Sequence, residues 1–194
     1  MEMPERSNKR PVGWSKPYWA RTGLYTAATF ISYLVSLLVV RFGSGVLLQA
    51  AIPAAPIVFW RVLNVMLDLI ITVAATWYFA SQEGYTKRTS NAKTCVGGGF
   101  LFLLVQLPLA LVMPAAAGPL AFTLAQWIYF GNQSAYAATL ESPPPLLLLG
   151  CAVAVDVLVL IPAMAFAERL GAIAHKKETA ALIEEAKKQE EETP

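Results

Sequence analysis

The sequence predicts an all-α integral membrane protein, a bundle of four transmembrane helices, with six spans as the alternative. Hydrophobic residues make up 56% of the 194 residues and charged residues only 14%, whereas about 25% of the residues of a soluble domain are charged. The apolar residues form continuous runs close to the length of about 20 that a helix needs to cross a bilayer. Because lipid offers the backbone no hydrogen-bond partners and these runs lack the alternation of barrel strands, we expect helical spans.

The chain divides into three parts by charge. Residues 1–21 form a basic leader, residues 22–167 contain the apolar runs, and residues 168–194 form a charged tail rich in Ala, Glu and Lys. We expect a cytoplasmic leader, a transmembrane helical domain, and a cytoplasmic helix that continues the last span. Glu184 and Lys188 in the tail have the i,i+4 spacing of a helical ion pair.

The apolar runs define the predicted elements in order. The four predicted spans are Thr22–Val40, Val58–Ala80, Cys95–Ala117 and Leu146–Ala167. A polar loop, Ser81–Thr94, separates the second span from the third. Two further apolar segments, Gly43–Ile57 and Leu120–Phe130, are of the intermediate length that does not identify a span. We interpret them as re-entrant or interfacial segments on the outer side; in the six-span alternative both cross the bilayer.

The distribution of basic residues predicts the orientation. Four spans place thirteen of the fifteen Lys and Arg residues on one side and leave only Arg41 and Arg61 near the other. Because basic residues accumulate on the cytoplasmic side, we expect both termini to be cytoplasmic, and we expect the membrane to be the plasma membrane. Six spans would move Lys87, Arg88 and Lys93 outside, which favours four.

Three polar residues lie near the middle of predicted spans. Asp68, Gln106 and Asp156 are each about ten residues from one end of their helix, which places all three near the midplane. A carboxyl group there costs at least a few kcal/mol, so it usually faces a partner or a water-filled cavity. Side chains at one depth on neighbouring helices can meet inside the bundle.

The second span carries two more polar residues on the face of Asp68. Arg61, Asn64 and Asp68 follow each other by three and four residues, the spacing of one helical face. We predict a substrate- or ion-binding site formed by Arg61, Asn64, Asp68, Gln106 and Asp156. Two alternatives remain: these groups form hydrogen bonds that join the helices, or one of the carboxyl groups faces a partner subunit.

Other classes of function receive little support from the sequence. The net charge of +2 is too small to indicate nucleic-acid binding, and the single histidine, His175, lies in the tail. Cys95 and Cys151 belong to no metal-binding spacing, and Gly97–Gly99 lacks the lysine of a phosphate loop. We therefore expect no enzyme activity, no metal and no cofactor, and we interpret the glycines as a site of close helix approach.

Two functions remain after these exclusions. The first is a transport-related or permease-like subunit that binds a small cation or a small-molecule substrate in its polar layer. The second is a non-transporting scaffold or accessory subunit of a larger complex, which uses the extended tail and the small-residue faces. In both cases we expect the lipid bilayer and a protein partner or second copy as the surroundings.

Overall fold

The computed structural model describes residues 16–87, 92–131 and 141–192, and within them the secondary structure is entirely helical. The helices are α1 (Lys16–Ser36), α2 (Ile57–Lys87), α3 (Ala92–Val112), α4 (Pro119–Tyr129), α5 (Pro145–Val155) and α6 (Ile161–Glu192). A π-helical segment, Leu37–Leu48, extends α1 into a final turn, Gln49–Ala51. A second one, Asp156–Leu160, joins α5 to α6, so residues 16–51 and 145–192 each form one continuous helix.

The predicted four-helix membrane bundle is confirmed. Four helices are long and apolar enough to cross a bilayer: Pro17–Ala51, Ile57–Thr86, Ala92–Val112 and Pro145–Gln189. Large apolar side chains such as Leu38, Leu104 and Leu158 are exposed on the outside of the bundle. So much exposed apolar surface implies a surrounding lipid bilayer.

The first helix is longer than predicted. It passes the expected end at Val40 and continues to Ala51, so most of Gly43–Ile57 belongs to this helix and is not a separate segment. The chain turns only at residues 52–56, where Pro53 and Pro56 cannot donate to a helical ladder. In the same way, helix α2 runs on to Lys87 and α3 begins at Ala92, so much of the expected loop is helical.

Segment Leu120–Phe130 is re-entrant, as predicted. Helix α3 ends at Val112, short of the expected Ala117, and a 3₁₀ turn at Pro114–Ala117 brings the chain back into the bundle. The side-chain amide of Gln106 donates to the Ala117 carbonyl over 3.1 Å, which closes this return.

Helix α4 then rises from the middle of the bundle. It starts after Gly118, whose positive φ of 87° suits a residue without a side chain. Near its start, Thr123 donates to Asp68, and just beyond its end the Phe130 carbonyl accepts from Arg61. On α2, Asp68 lies closer to the middle of the bundle than Arg61. Because α4 contacts Asp68 near its start and Arg61 just beyond its end, it runs outward, toward the end of the bundle at which α3 ends.

The two ends of the bundle differ in how they are closed. At one end Arg21 of α1 contacts Glu83 and Glu168, and we call this the Arg21 end. At the other, which we call the Arg61 end, the re-entrant helix α4 completes the packing.

Glycines let the helices approach closely at the Arg21 end. A Cβ atom added at Gly84 would collide with the backbone of Glu168, and one added at Gly171 would collide with the backbone of Ser81. Helices α2 and α6 are therefore in backbone contact. Glycines 97–99 likewise pack α3 against α1 and Ile161, which agrees with their interpretation as a site of close approach.

A single added methyl group tests this contact. Gly171→Ala should lower the free energy of unfolding by about 1–3 kcal/mol, because the methyl group forces α6 away from α2. Gly150→Ala is the matched control, since a Cβ there meets nothing within 4 Å. Melting temperatures in detergent measure both variants. Equal stability of the two variants would contradict the backbone contact between α2 and α6.

Candidate functional site

The carboxylate of Asp68 is the centre of a hydrogen-bonded group at the Arg61 end. Asp68 is 0% exposed. Its Oδ1 accepts a 2.5 Å hydrogen bond from Ser36 of α1, and its Oδ2 accepts one from Thr123 of α4. Three helices thus meet at one acidic side chain, whose two oxygens are both satisfied.

Arg41 lies on the other side of Thr123. Its Nη2 donates to Thr123 Oγ1 over 3.3 Å and its Nη1 donates to Gln126 Oε1 over 2.9 Å. The guanidinium also stacks over the ring of Phe122, 4.7 Å from the ring centroid. Since Thr123 accepts from Arg41 and donates to Asp68, one hydroxyl separates the cation from the anion.

A pocket of about 520 Å³ opens beside this group. It lies between the π-helical part of the first helix, the 3₁₀ turn and the start of α4. Ser36 and Arg41 are among its polar lining residues, whereas Leu37, Met113 and Phe122 are among its apolar ones. Small-molecule sites typically have volumes of about 300–1,000 Å³ and combine apolar walls with a few polar groups. Asp68 does not line the pocket itself, but it accepts a hydrogen bond from Ser36, which does.

The two other predicted residues of α2 bond to separate partners. Ser44 of the π-helical segment donates to Asn64 Oδ1 over 2.6 Å. Arg61 donates from Nη2 to the Phe130 carbonyl over 2.5 Å. Arg61, Asn64 and Asp68 do share one buried face of α2, as their spacing predicts. Their described bonds lead to two parts of the chain: the first helix, at Ser36 and Ser44, and α4 with the residue after it, at Thr123 and Phe130.

Gln106 and Asp156 lie elsewhere in the core. Gln106 of α3 holds the re-entrant turn through Ala117. Asp156 begins the second π-helical segment and is 1% exposed, and neither of its carboxyl oxygens has a hydrogen-bond partner among the described residues. The five predicted residues are therefore all buried, but they form several local arrangements and not one joined cluster. Their role in binding stays a prediction.

Sequence reasoning missed the most strongly charged group of the bundle. Arg21 donates to Glu83 Oε1 over 2.7 Å and to Glu168 Oε1 over 2.6 Å, and Glu168 is 0% exposed. The Cys95 thiol donates to the other oxygen of Glu168 over 2.8 Å. The predicted boundary at residue 168 puts Glu168 in the charged tail, yet this part of the continuous helix still packs against Gly84 of α2. His175 likewise packs against Tyr85 in the described structure.

A signal for the missed partners of Asp68 and Asn64 is present in the first helix. Hydroxyl side chains recur there every three or four residues at Thr22, Tyr25, Thr29, Ser32 and Ser36, and again at Ser44. That spacing places them on one helical face. A polar stripe on an apolar helix indicates contact with polar groups of neighbouring helices. Here Ser36 and Ser44 bond to α2, and Thr22 and Tyr25 bond to backbone carbonyls of α3.

Comparison with protein-family models, with curated proteins and with solved structures finds no match to this chain. The functional interpretation therefore depends on the geometry of the chain itself.

The two buried acidic residues should respond in opposite ways to the same substitution. Asp68→Val leaves the hydroxyls of Ser36 and Thr123 without their acceptor, and each such loss costs about 1–3 kcal/mol. Asp156→Val removes a carboxyl group that has no protein partner among the described residues, so stability should stay the same or increase. Thermal unfolding in detergent measures both effects. A loss for Asp156→Val as large as that for Asp68→Val would contradict the different bonding of the two residues.

Proposed function

We propose that this protein is a transport-related, permease-like membrane subunit, without enzyme activity, whose pocket at Arg41 binds a small anionic solute. The observation that carries the proposal is the position of Arg41. It lines a pocket of small-molecule size whose other lining residues are mostly apolar, and its described hydrogen bonds go to the neutral oxygens of Gln126 and Thr123.

The charge and shape of the pocket favour a particular kind of ligand. A guanidinium group carries five N–H donors in a planar fork that fits a carboxylate or a phosphate. Arg41 uses two of its nitrogens for Gln126 and Thr123, and the side chain is only partly buried. The apolar walls formed by Leu37, Met113 and Phe122 suit a hydrocarbon part of the same ligand.

Asp68 would act on the ligand indirectly. It is fully buried behind Ser36 and Thr123, so a solute in the pocket meets the hydroxyls before the carboxylate. In the proposal Asp68 balances the charge of Arg41 when no solute is bound and fixes Thr123 so that Arg41 points correctly. Ligand binding would then weaken the interaction between Arg41 and Asp68, which is a way for the bound solute to alter the packing of α4.

The orientation is part of the proposal. By sequence, thirteen of the fifteen Lys and Arg residues precede or begin α1, flank the junction of α2 and α3, or follow Glu168. The described parts of α1, α2 and α3 nearest these places carry Arg21, Glu83 and Cys95, which belong to the Arg21 end. The positive-inside rule then places the Arg21 end in the cytoplasm and opens the Arg41 pocket toward the outer side of the plasma membrane.

A panel of single-chain carboxylates, phosphates and amines of matched length tests ligand binding. Carboxylates or phosphates with four to eight carbons, lengths chosen to span the pocket, should raise the melting temperature of the wild type. At a hundredfold excess over Kd the added stability is about 2.7 kcal/mol. Arg41→Gln should abolish the effect, whereas Arg169→Gln, which removes an exposed charge at the other end, should retain it.

Two outcomes of this panel would contradict the proposal. One is stabilisation by the amines and not by the anions. The other is an unchanged response of Arg41→Gln. Uptake of the best stabilising anion into proteoliposomes then distinguishes transport from binding alone.

A second candidate function, an accessory subunit, is favoured by the far part of α6. Leu182 and Ile183 are 59% and 54% exposed on a helix that extends past its contacts with α2. The described hydrogen bond to α2 that lies furthest along α6 is the one that Tyr85 donates to Glu178. An apolar pair on an otherwise charged helix is a plausible docking point for a partner protein.

Truncation after Ala180 separates the two candidates. It retains Glu178, so the melting temperature should fall by less than about 2 °C, a shift that corresponds to under roughly 1 kcal/mol in a chain of this size. Anion binding should persist in the truncated protein if the Arg41 pocket is the functional site. Loss of a defined co-purifying protein, with the fold and the anion response intact, would instead support the accessory role. A large loss of stability would contradict the independence of the tail.

A further inference from the structure

A small cavity lies where all the helices of the bundle meet. It is lined by Thr29 of α1, Thr72 of α2, Gln106 of α3, Leu120 of α4 and Val155 of α5. The volume that the centre of a water molecule can occupy in this cavity is about 10 Å³. A buried water needs at least about 10–15 Å³ on this measure, together with two to four polar partners. The cavity thus has room for about one water molecule.

Three oxygen atoms of the lining residues have no hydrogen-bond partner among the described residues. They are Thr29 Oγ1, Thr72 Oγ1 and Gln106 Oε1. Thr72 and Gln106 are each only 3% exposed. The amide nitrogen of Gln106 is already bonded to Ala117, so its Oε1 is the atom that remains. Buried polar groups in native proteins nearly always find a partner, either in the protein or in ordered water.

Helix α4 adds hydrogen-bond donors to the same cavity. The helix has eleven residues and begins at Pro119, and no side chain in the described part of the chain caps it. Its early N–H groups, those of Leu120 and Ala121, have no carbonyl one turn earlier within the helix. Both residues line the cavity, and the first backbone bond of the helix is that of Phe122 to Gly118. The N-terminus of α4 also carries the positive end of the helix dipole.

These groups define the chemistry of a ligand. Gln106 Oε1 can only accept a hydrogen bond, the backbone N–H groups can only donate, and the two threonine hydroxyls can do either. A cation would be repelled by the N-terminus of α4, and an anion would be repelled by Gln106 Oε1. A small neutral molecule that both donates and accepts can bond to groups of all three kinds.

We propose that this cavity binds one water molecule, which donates to Gln106 Oε1 and bonds to the Thr72 hydroxyl and to a backbone N–H group at the N-terminus of α4. The water joins α1, α2 and α3 to the innermost point of the re-entrant segment. It would provide the cap that α4 does not receive from a side chain, and it therefore holds the base of the helix that also carries Thr123 and Gln126. This site is independent of the proposed solute in the Arg41 pocket.

The sign of a stability change tests the proposal. Thr72→Val keeps the shape of the side chain and removes the hydroxyl. If Thr72 bonds to a bound water, the melting temperature should fall by about 2–4 °C, the shift expected for one lost interaction in a chain of this size. If the cavity is dry, the same variant removes an unsatisfied buried hydroxyl, and the melting temperature should stay the same or rise. Thr76→Val is the matched control, because the Thr76 hydroxyl bonds to the Thr72 carbonyl of its own helix.

A high-resolution structure of the wild type locates the ligand directly. The proposal expects a solvent peak at hydrogen-bond distance, about 2.7–3.2 Å, from Gln106 Oε1 and from at least one threonine hydroxyl or α4 N–H group. Crystals grown with bromide in place of chloride should show no anomalous peak in the cavity. A bromide peak there would overturn the assignment in favour of a halide, and a cavity without density, together with a stabilising Thr72→Val, would show that it is dry.

Discussion

The buried ion pair between Arg21 and Glu168 is the interaction on which the rest of the bundle depends. Glu168 is completely buried, and its two oxygens accept from Arg21 of α1 and from Cys95 of α3. Arg21 also contacts Glu83 of α2. The four long helices therefore meet at one pair of charges. A buried pair adds little net stability over apolar residues, but removing one partner costs about 3–5 kcal/mol because the other charge stays buried.

This pair fixes the relative heights of the helices, and the glycine contacts depend on that register. Gly84 and Gly171 bring α2 and α6 into backbone contact close to Glu168. A shift of α6 by one residue would separate Glu168 from Arg21 and would move Gly171 away from Ser81. The Arg21 end is thus closed by charge and by backbone packing together. At the Arg61 end the packing is provided by α4, a short helix held by hydroxyl and amide groups, and a pocket remains beside it. The two ends thus differ in packing: one is closed by charge and backbone contact, and the other keeps a pocket beside α4.

The two π-helical segments fit this division. Leu37–Leu48 carries Arg41 and Ser44, and Asp156–Leu160 begins with the buried Asp156. Wider turns of this kind are uncommon and occur often at functional sites. Both segments lie beyond the Arg21 end. The first bonds through Arg41 to α4 and through Ser44 to Asn64 of α2, and Asp156 of the second has no hydrogen-bond partner among the described residues.

The depth of each buried polar residue and the helical face on which it lies could be predicted from the sequence. The residue that forms its hydrogen-bond partner could not. Apolar length predicted four spans, and the spacing of Arg61, Asn64 and Asp68 predicted one buried face of α2. Neither property says that α4 would supply Thr123 to Asp68, because that contact depends on a re-entrant turn fixed by Gln106. The burial of Glu168 could not be predicted for a related reason. A charged residue at the end of an apolar run is expected to face solvent, and its partner Arg21 lies 147 positions away in the sequence.

A double-mutant cycle on Arg21 and Glu168 tests the central claim most directly. Arg21→Gln, Glu168→Gln and the double variant would be compared by thermal unfolding in one detergent. The exposed pair of Lys188 and Glu184 provides the reference, since both of its side chains are more than half exposed. The account predicts a large loss in each single variant at the buried pair and a loss in the double variant well below their sum, with little change at the reference pair. Additive losses at Arg21 and Glu168, or single variants as stable as the wild type, would contradict it.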